Sequence, residues 1–348
     1  MDRLNRRITH VLPGCWLSTA MRAERDRLAM GYPRIHTVDP TVSGFFHCVS
    51  RCVRRAWLCG EDPVSGRCFD HRRAWVEHRL IHLAESFAVG LYAWAVMSNH
   101  THVVLRVDPT AADRWTDEEV AHRWARLTRR LEPLSEEEVR SRIAQVLGSP
   151  GRVDVLRERL GSLSWFMRFL NESIARAANA EDGCTGRFWE GRFKCQALLD
   201  EDAVLAAMTY ADLNPIRSGL ADELMDSDFT SIQRRLLALR EDAALVDASL
   251  VPMCGLPEGV GPALTVRAYV ELVEWRGRQA REGKSGRIDA DAPSALECIR
   301  GSRQAWCQWA VYLERGFAGA VGTPERLRQH AEAMGRRWVW GWRAGAGL

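Results

Sequence analysis

Two β-prone stretches separated by a short turn constrain the fold of this chain more than any other feature of its sequence. The first stretch is VGLYAWAVM at residues 89–97, and the second is HVVLRV at residues 102–107. Only Ser98-Asn99-His100-Thr101 joins them. Runs rich in β-branched and aromatic residues favour strands, and so short a connection favours antiparallel neighbours. We therefore predict two adjacent strands in an antiparallel sheet.

A third strand and an amphipathic helix precede this pair. Residues 45–50 are apolar and β-prone, whereas residues 72–87 place apolar side chains at helical spacing. The order strand, helix, strand, strand predicts an α+β fold in which a small antiparallel sheet packs against helices.

Residues 110–160 are predicted to be a helical insertion. Two capping-box patterns mark helix starts, Thr116 with Glu119 and Ser135 with Glu138. A further helix is predicted over residues 162–180, and an extended segment over residues 187–199. Acidic residues at 200–202 then begin a helix that is predicted to end before Pro215.

The chain is predicted to have three parts. Residues 1–40 form a charged leader, in which Met30 is an alternative start, residues 41–225 form the main domain, and residues 226–348 form a mostly helical region without an assigned role. The sequence lacks a secretory signal and a long apolar run, so we expect a cytoplasmic protein without membrane contact. The ten cysteines are scattered without a Cys-x-x-Cys pair, which predicts reduced thiols.

A His-x-His pair is the first candidate for chemistry. His100 and His102 are two residues apart at the start of a predicted strand, so both imidazoles project from one face and can share a cation. The alternative is a pair of half-buried strand histidines with satisfied nitrogens.

Tyr210 and Asn214 are the second candidate. A spacing of four places the phenol and the amide on one face of the predicted helix. Three of the other four tyrosines have valine or glycine at this spacing, and Tyr32 precedes His36 across Pro33, where no helix is expected. The alternative is a core tyrosine with a hydrated hydroxyl.

Basic residues cluster near both candidates, although the net charge of +3 does not by itself imply a nucleic-acid partner. Arginine is well suited to phosphate because its guanidinium donates two parallel hydrogen bonds. The alternative is solvated surface charge. The clustered residues, with the tryptophan that interrupts the third cluster, are Arg51, Arg54 and Arg55; His71, Arg72 and Arg73; and Arg187, Trp189, Arg192 and Lys194.

Four blocks of the sequence resemble a known family. They are FFHCVSRCVRRAWLCGED at residues 45–62, WAVMSNHTHVVLRVD at 94–108, GRFWEGRFK at 186–194 and YADLNPIRSGL at 210–220. In content and order they resemble the single-tyrosine HUH transposases, in the branch called REP-associated tyrosine transposases. The resemblance spans roughly residues 43–225, and it implies a ferredoxin-like or RRM-like HUH endonuclease domain.

The resemblance also implies roles for individual residues. His100 and His102 would be metal ligands, Tyr210 the nucleophile and Asn214 the third ligand, with Mg²⁺ or Mn²⁺ as the ion. Thr101 departs from the pattern, which usually has a bulky hydrophobic residue between the histidines. The expected partner is single-stranded or hairpin DNA of the repetitive extragenic palindrome type, which Trp189 and the neighbouring basic residues would contact by stacking and charge. The protein would be a monomer or a homodimer.

The expected function is metal-dependent cleavage and rejoining of DNA strands through a 5′-phosphotyrosine. Two alternatives stay open: a DNA-binding regulator derived from such an enzyme, and a metal phosphodiesterase that uses activated water. The third alternative, a purely structural interaction protein, explains none of the clustered blocks.

Overall fold

The computed structural model describes residues 39–53, 58–62, 66–256, 261–281, 288, 291–317, 319–339, 341 and 344–345. The predicted leader, residues 1–40, lies almost wholly outside the described residues. The strands are β1 (Gly44–Arg51), β2 (Val89–Val96), β3 (His100–Val107), β4 (Lys194–Leu198), β5 (Cys254–Gly255) and β6 (Ala320–Val321).

The α-helices are numbered in chain order through the described part of the chain. They are α1 (His71–Ser86), α2 (Pro109–Asp113), α3 (Asp117–Ala125), α4 (Glu136–Leu147), α5 (Arg152–Leu160), α6 (Leu163–Glu181), α7 (Glu201–Asp212), α8 (Asn214–Arg217), α9 (Ser231–Glu241), α10 (Val266–Arg281), α11 (Arg303–Gly316) and α12 (Pro324–Ala333). Two 3₁₀-helices cover Ala243–Asp247 and Ser294–Cys298.

The strands form one sheet in the order β5-β2-β3-β1-β4-β6. Its four longer strands pair antiparallel, with β3 between β2 and β1, and β4 beside β1. The edge strand β5 pairs antiparallel with β2, whereas β6 pairs parallel with β4. The architecture is therefore α+β, with a larger sheet than the sequence predicts.

Helices cover both faces of this sheet. On one face, Trp94 of β2 donates from Nε1 to Glu77 of α1 at 3.1 Å, and Asn171 of α6 donates from Nδ2 to Ser50 Oγ of β1 at 3.0 Å. On the other face lies α7, in which every residue from Asp202 to Asp212 is buried. Because this helix is rich in alanine, it can approach the sheet closely while α11 packs on its outer side.

Local sequence signals of helix ends are confirmed. Thr116 accepts from the backbone N–H of Glu119 at 3.2 Å, and Ser135 with Glu138 forms a complete capping box. Pro215 does not simply end a helix, because it lies in the first turn of the short α8, where a proline needs no N–H partner. The extended segment predicted at residues 187–199 shortens to β4.

The region after residue 225 shares the sheet through β5 and β6, and the predicted three-part division stays a prediction. In the described part of the chain, no helix has both the length and the apolar character that a membrane span requires. The nine cysteines within the described residues are free thiols.

Asp212 at the end of α7 is a buried carboxylate that joins three segments. It accepts hydrogen bonds from the hydroxyls of Ser231 and Tyr269 and, at 3.0 Å, from the backbone N–H of Ile232. We expect Asp212→Ala to lower the free energy of unfolding by about 3 kcal/mol at pH 5, because three buried donors lose their acceptor. Urea denaturation measures the change.

The size of this effect should depend on pH. Burial raises the pKa of Asp212 to about 6, whereas an unfolded aspartate titrates near 3.9. Because its pKa is higher in the folded state, Asp212 contributes most to the free energy of unfolding at pH values below the unfolded pKa. That contribution is lost as the pH rises through the folded pKa of about 6. The destabilisation should therefore be larger at pH 4.5 than at pH 7, while Asp226→Ala at an exposed position should change stability by no more than about 0.5 kcal/mol at either pH.

Candidate functional site

Strand register gathers three histidines and a glutamine on the face of the sheet that α7 covers. Side chains alternate between faces along a strand, and directly opposed residues share a face. Val49 lies opposite His102, and His47 lies opposite Gln196. His47, His100, His102 and Gln196 therefore point to the same side.

Tyr210 of α7 packs against these imidazoles. Its ring centroid lies 5.4 Å from that of His102 and 5.9 Å from that of His47, both edge to face. The His100 and His102 rings are 4.7 Å apart. The structure thus brings Tyr210 to His100 and His102, although more than one hundred residues separate it from them in the sequence.

A chain of hydrogen bonds fixes the tautomer of His102. Gln196 donates from Nε2 to the carbonyls of Phe317 at 3.0 Å and Leu313 at 3.4 Å, so its Oε1 faces His47. That oxygen can only accept, so His47 donates from Nδ1 at 2.9 Å. The unprotonated Nε2 of neutral His47 then accepts from His102 Nδ1 at 3.0 Å. His102 therefore carries its lone pair on Nε2.

Burial keeps all three imidazoles neutral. It lowers the pKa of His47. It also holds the pKa of His102 well below the ordinary value, and the neighbouring His47 and His100 lower that pKa further. The pKa of His100 falls to about 4, first through burial and then through the charge of Arg51. Neutral imidazole is the form that binds a metal ion.

The free lone pairs fit a divalent cation. His102 Nε2 is buried and has no hydrogen-bond partner among the described residues. His100 contacts the amide oxygen of Asn99 through Nδ1 at 2.6 Å, which leaves its own lone pair on Nε2. No group of three or more His, Cys, Asp or Glu side chains in the described ranges is placed to hold a metal ion.

Asn214, the predicted third ligand, follows Tyr210 by one helical turn. Its Nδ2 donates to the carbonyl oxygen of Tyr210 at 2.8 Å, so the amide is held against the end of α7. This bond uses the nitrogen and leaves Oδ1, the atom that a metal would need. The ligand role of Asn214 stays a prediction.

Two further charged residues contact Tyr210. Glu314 of α11 accepts from the phenol hydroxyl at 3.4 Å, and the same Oε1 lies 3.6 Å from His102 Nδ1. Arg217 of α8 places its guanidinium carbon 4.7 Å from the centroid of the phenol ring. Burial, and then the charge of Glu314, raise the pKa of Tyr210 to about 12, against the opposing charge of Arg217. The phenol is therefore protonated at rest.

The predicted DNA-contacting residues differ in where they lie. Arg51 ends β1 and Lys194 begins β4, and both side chains are exposed. They lie on the same face of the sheet as His100. Arg187 and Arg192 are also exposed. Arg54 and Arg55 lie outside the described residues. Arg51 and Lys194 lie close enough to His100 for their charges to lower its pKa. Contact of the exposed residues with DNA stays a prediction.

Trp189 is largely buried. Only 9% of its surface is exposed, and Nε1 donates to the carbonyl of Asn171 at 2.7 Å. Its ring packs edge to face on Phe188. The structure thus gives Trp189 a packing role that ties this segment to α6, and base stacking on it stays a prediction.

The basic cluster at residues 71–73 is structural. Arg72 is buried and donates to Glu181 at 2.6 Å and Asp182 at 2.5 Å. Arg73 pairs with Asp70 at 3.0 Å. The contacts of Arg72 tie the start of α1 to the end of α6, so the interpretation of solvated surface charge is wrong for Arg72.

Sequence reasoning missed His47, Gln196, Arg217 and Glu314. His47 has a weak signal, since it lies in a predicted strand of the same domain at even spacing from Arg51. Arg217 lies seven residues after Tyr210, on the same face of a continuous helical path. Gln196 and Glu314 carry no local signal, because only pairing of distant segments brings them to the imidazoles.

Comparisons with known proteins give one distant likeness. No family model matches the sequence, and no curated protein matches it. A solved structure described as that of the REP-associated tyrosine transposase bound to a REP hairpin is similar at 14% identity, with a TM-score of 0.33. The likeness covers 56% of this chain and 79% of that chain. Membership of the family stays a prediction.

Proposed function

We propose that the protein cleaves and rejoins single-stranded DNA, with Tyr210 as the nucleophile beside a metal site at His100 and His102. One observation carries the proposal: His102 Nε2 is a buried lone pair without a partner among the described residues, next to a second imidazole and a phenol. The family resemblance of the four sequence blocks supports the same function. It also supports a ferredoxin-like core and a REP-type hairpin as substrate.

The strand exchange conserves bond energy. Tyr210 Oη loses its proton and attacks the phosphorus, and the bond from phosphorus to the 3′-oxygen breaks. The 3′-oxygen takes up a proton and leaves as a 3′-hydroxyl, while the 5′-phosphate of the downstream strand stays on the tyrosine. A 3′-hydroxyl that later attacks this phosphotyrosine releases the tyrosine and joins the strands. Neither ATP nor water is consumed.

Protein side chains manage the proton and the charge. Glu314 Oε1 accepts the hydrogen bond from Oη, so it is the nearest acceptor for the phenol proton. Arg217 steadies the ring and has a buried Nη1 with no hydrogen-bond partner among the described residues, a donor that suits a phosphate oxygen. A divalent ion, Mg²⁺ or Mn²⁺, held by His100 and His102 with Asn214 as third ligand, would neutralise charge on the non-bridging oxygens.

Cleavage requires that Glu314 or α11, which cover the phenol of Tyr210, move away from it. Only 8% of Tyr210 is exposed, His102 is fully buried, and the Glu314 side chain reaches both from α11. A phosphodiester can therefore reach Oη only when Glu314 or α11 shifts outward. The cytoplasmic location and the state as monomer or homodimer stay predictions.

An end-labelled hairpin oligonucleotide with a single-stranded flank tests the function. With Mn²⁺ or Mg²⁺, label at the 3′ end should migrate with the denatured protein, while label at the 5′ end should appear as a shorter free strand. EDTA should remove both products and added Mn²⁺ should restore them, because neutral imidazoles need the ion to act on phosphate.

The label positions separate the alternatives. A water-using phosphodiesterase would give short strands without label on the protein. A regulator would bind the hairpin and leave it intact under every metal condition. Either result would exclude Tyr210 as a strand-transferring nucleophile.

A further inference from the structure

A cavity of about 740 Å³ opens in the helical insertion. It lies between the end of α3, the loop of residues 126–135, and the helices α4, α5 and α6. A volume of this size is typical of sites for small organic ligands. None of the candidate site residues derived from the sequence lines it.

Three partly exposed aromatic rings form one wall. They are Trp124 of α3 and Trp165 and Phe169 of α6. The Trp124 ring meets Trp165 at 6.2 Å and Phe169 at 5.6 Å, both edge to face, so the three rings brace one another. Partly exposed aromatic rings that are held in place by their neighbours are surfaces on which unpaired bases stack.

Arginines dominate the rest of the lining. Six arginines and one glutamate border the cavity: Arg129, Arg130, Arg142, Arg152, Arg159, Arg176 and Glu132. The nearby Glu172 is shared by three guanidiniums, those of Arg129, Arg168 and Arg176, so it cannot neutralise them all.

Arg159 contacts the aromatic wall and has no carboxylate partner among the described residues. Its guanidinium carbon lies 4.4 Å from the centroid of the Trp165 ring, and no carboxylate of the described residues pairs with it. Arg152 likewise has no ion-pair partner within the described ranges, and it is exposed. The cavity therefore offers phosphate donors in contact with its aromatic wall.

A second recess adjoins the first and shares Thr128, Arg130 and Arg142 with it. The other charged residues of this recess are Glu137 and Glu138, so the excess of positive charge is confined to the first cavity. The helix α6 lines the cavity with Trp165 and Phe169, and it also contacts β1 through Asn171 and Ser50, on the face of the sheet opposite the imidazoles.

We propose that this cavity binds unpaired nucleotides of a DNA strand, with bases stacked on the Trp124, Trp165 and Phe169 wall and phosphates on Arg152 and Arg159. The choice of DNA rests on the proposed function. Duplex DNA presents no free base faces to such a wall, and an acidic peptide has no flat ring to stack on it. The cavity is a second binding site, distinct from the site of Tyr210.

Binding of a fluorescein-labelled oligothymidylate to the full chain carrying Tyr210→Phe tests this. The Tyr210→Phe substitution removes cleavage, so the experiment measures only the affinity for the oligonucleotide. Adding Trp165→Ala should raise Kd about tenfold, and Trp165→Phe should restore most of the affinity. Arg152→Glu should raise Kd more than Arg328→Glu, which makes the same change of charge at an exposed position of α12.

Photocrosslinking locates the contact directly. An oligonucleotide that contains 5-iodouracil should crosslink to the peptides that hold Trp124 or Trp165. Crosslinks only elsewhere, an unchanged Kd for both Trp165→Ala and Arg152→Glu, or equal effects of Arg152→Glu and Arg328→Glu would overturn the proposal. The proposal would also be overturned if Trp165→Ala weakened the binding of duplex DNA or of polyglutamate as much as the binding of oligothymidylate.

The two proposals fail separately. If the wild-type protein forms no covalent adduct but the crosslinks map to Trp124 or Trp165, the cavity binds nucleic acid and the strand-transfer function is wrong. If the adduct forms and the cavity variants bind oligothymidylate as tightly as the protein with an unchanged cavity, the strand-transfer function stands and the proposed nucleotide site in the cavity is wrong.

Discussion

Tyr210→Phe is expected to abolish the covalent protein–DNA adduct, with a loss of at least about 10⁴-fold in its rate of formation. The substitution removes only Oη, the atom that would bond to phosphorus. The ring contacts with His102 and His47 are retained, so the fold and hairpin binding should persist. A denaturing gel of protein mixed with hairpin labelled at the 3′ end measures the adduct, and a gel shift measures binding.

Tyr269→Phe is the matched control. It also deletes one buried phenol oxygen, but that hydroxyl donates to Asp212 and does not contact the imidazoles. We expect the adduct to form at nearly the wild-type rate, while the free energy of unfolding falls by about 1 to 2 kcal/mol. An adduct that survives Tyr210→Phe, or that is lost equally with Tyr269→Phe, would reject Tyr210 as the nucleophile.

The elements that the sequence predicts well are those with local signals. The strand pair at residues 89–107 follows from composition and a short turn, and the caps at Thr116 and Ser135 follow from side chains three residues apart. The shared face of His100 and His102 needs only the alternation of a strand. Each of these inferences uses contacts between residues close in the chain.

The rest of the site depends on pairing between distant segments. His47 reaches His102 because β1 pairs with β3, and Gln196 reaches His47 because β4 pairs with β1. Glu314 comes from a helix about one hundred residues after Tyr210. No periodic pattern in the sequence predicts these contacts between distant residues. The tautomer of His102 therefore follows only from the order of the strands in the sheet.

The region after residue 225 shows the same dependence on long-range contacts. The sequence predicts a mostly helical region here, and it does not predict β5 and β6, because strands of two residues are too short to show an alternating pattern. Their pairing with β2 and β4 fixes this region to the sheet. That attachment is what allows α11 to place Glu314 beside Tyr210.

His102→Ala is expected to reduce adduct formation by at least about 10³-fold, because Lewis-acid stabilisation of a phosphoryl group is worth several kcal/mol. The change removes the buried Nε2 lone pair that the hydrogen bonds from Gln196 through His47 hold unprotonated. Calorimetric titration with Mn²⁺ should show heat of binding for the wild type and none for this variant. Circular dichroism checks that the variant is folded.

Thr101→Val is the control on the same strand. Thr101 is buried on the opposite face of the sheet, and its hydroxyl has no hydrogen-bond partner among the described residues, so the nearly isosteric valine removes only an unsatisfied polar atom. Cleavage and Mn²⁺ binding should be unchanged, and stability should be equal or higher. If His102→Ala binds Mn²⁺ as the wild type does, the ion lies elsewhere, and the hydrogen-bonded histidines serve only to join β1 and β3.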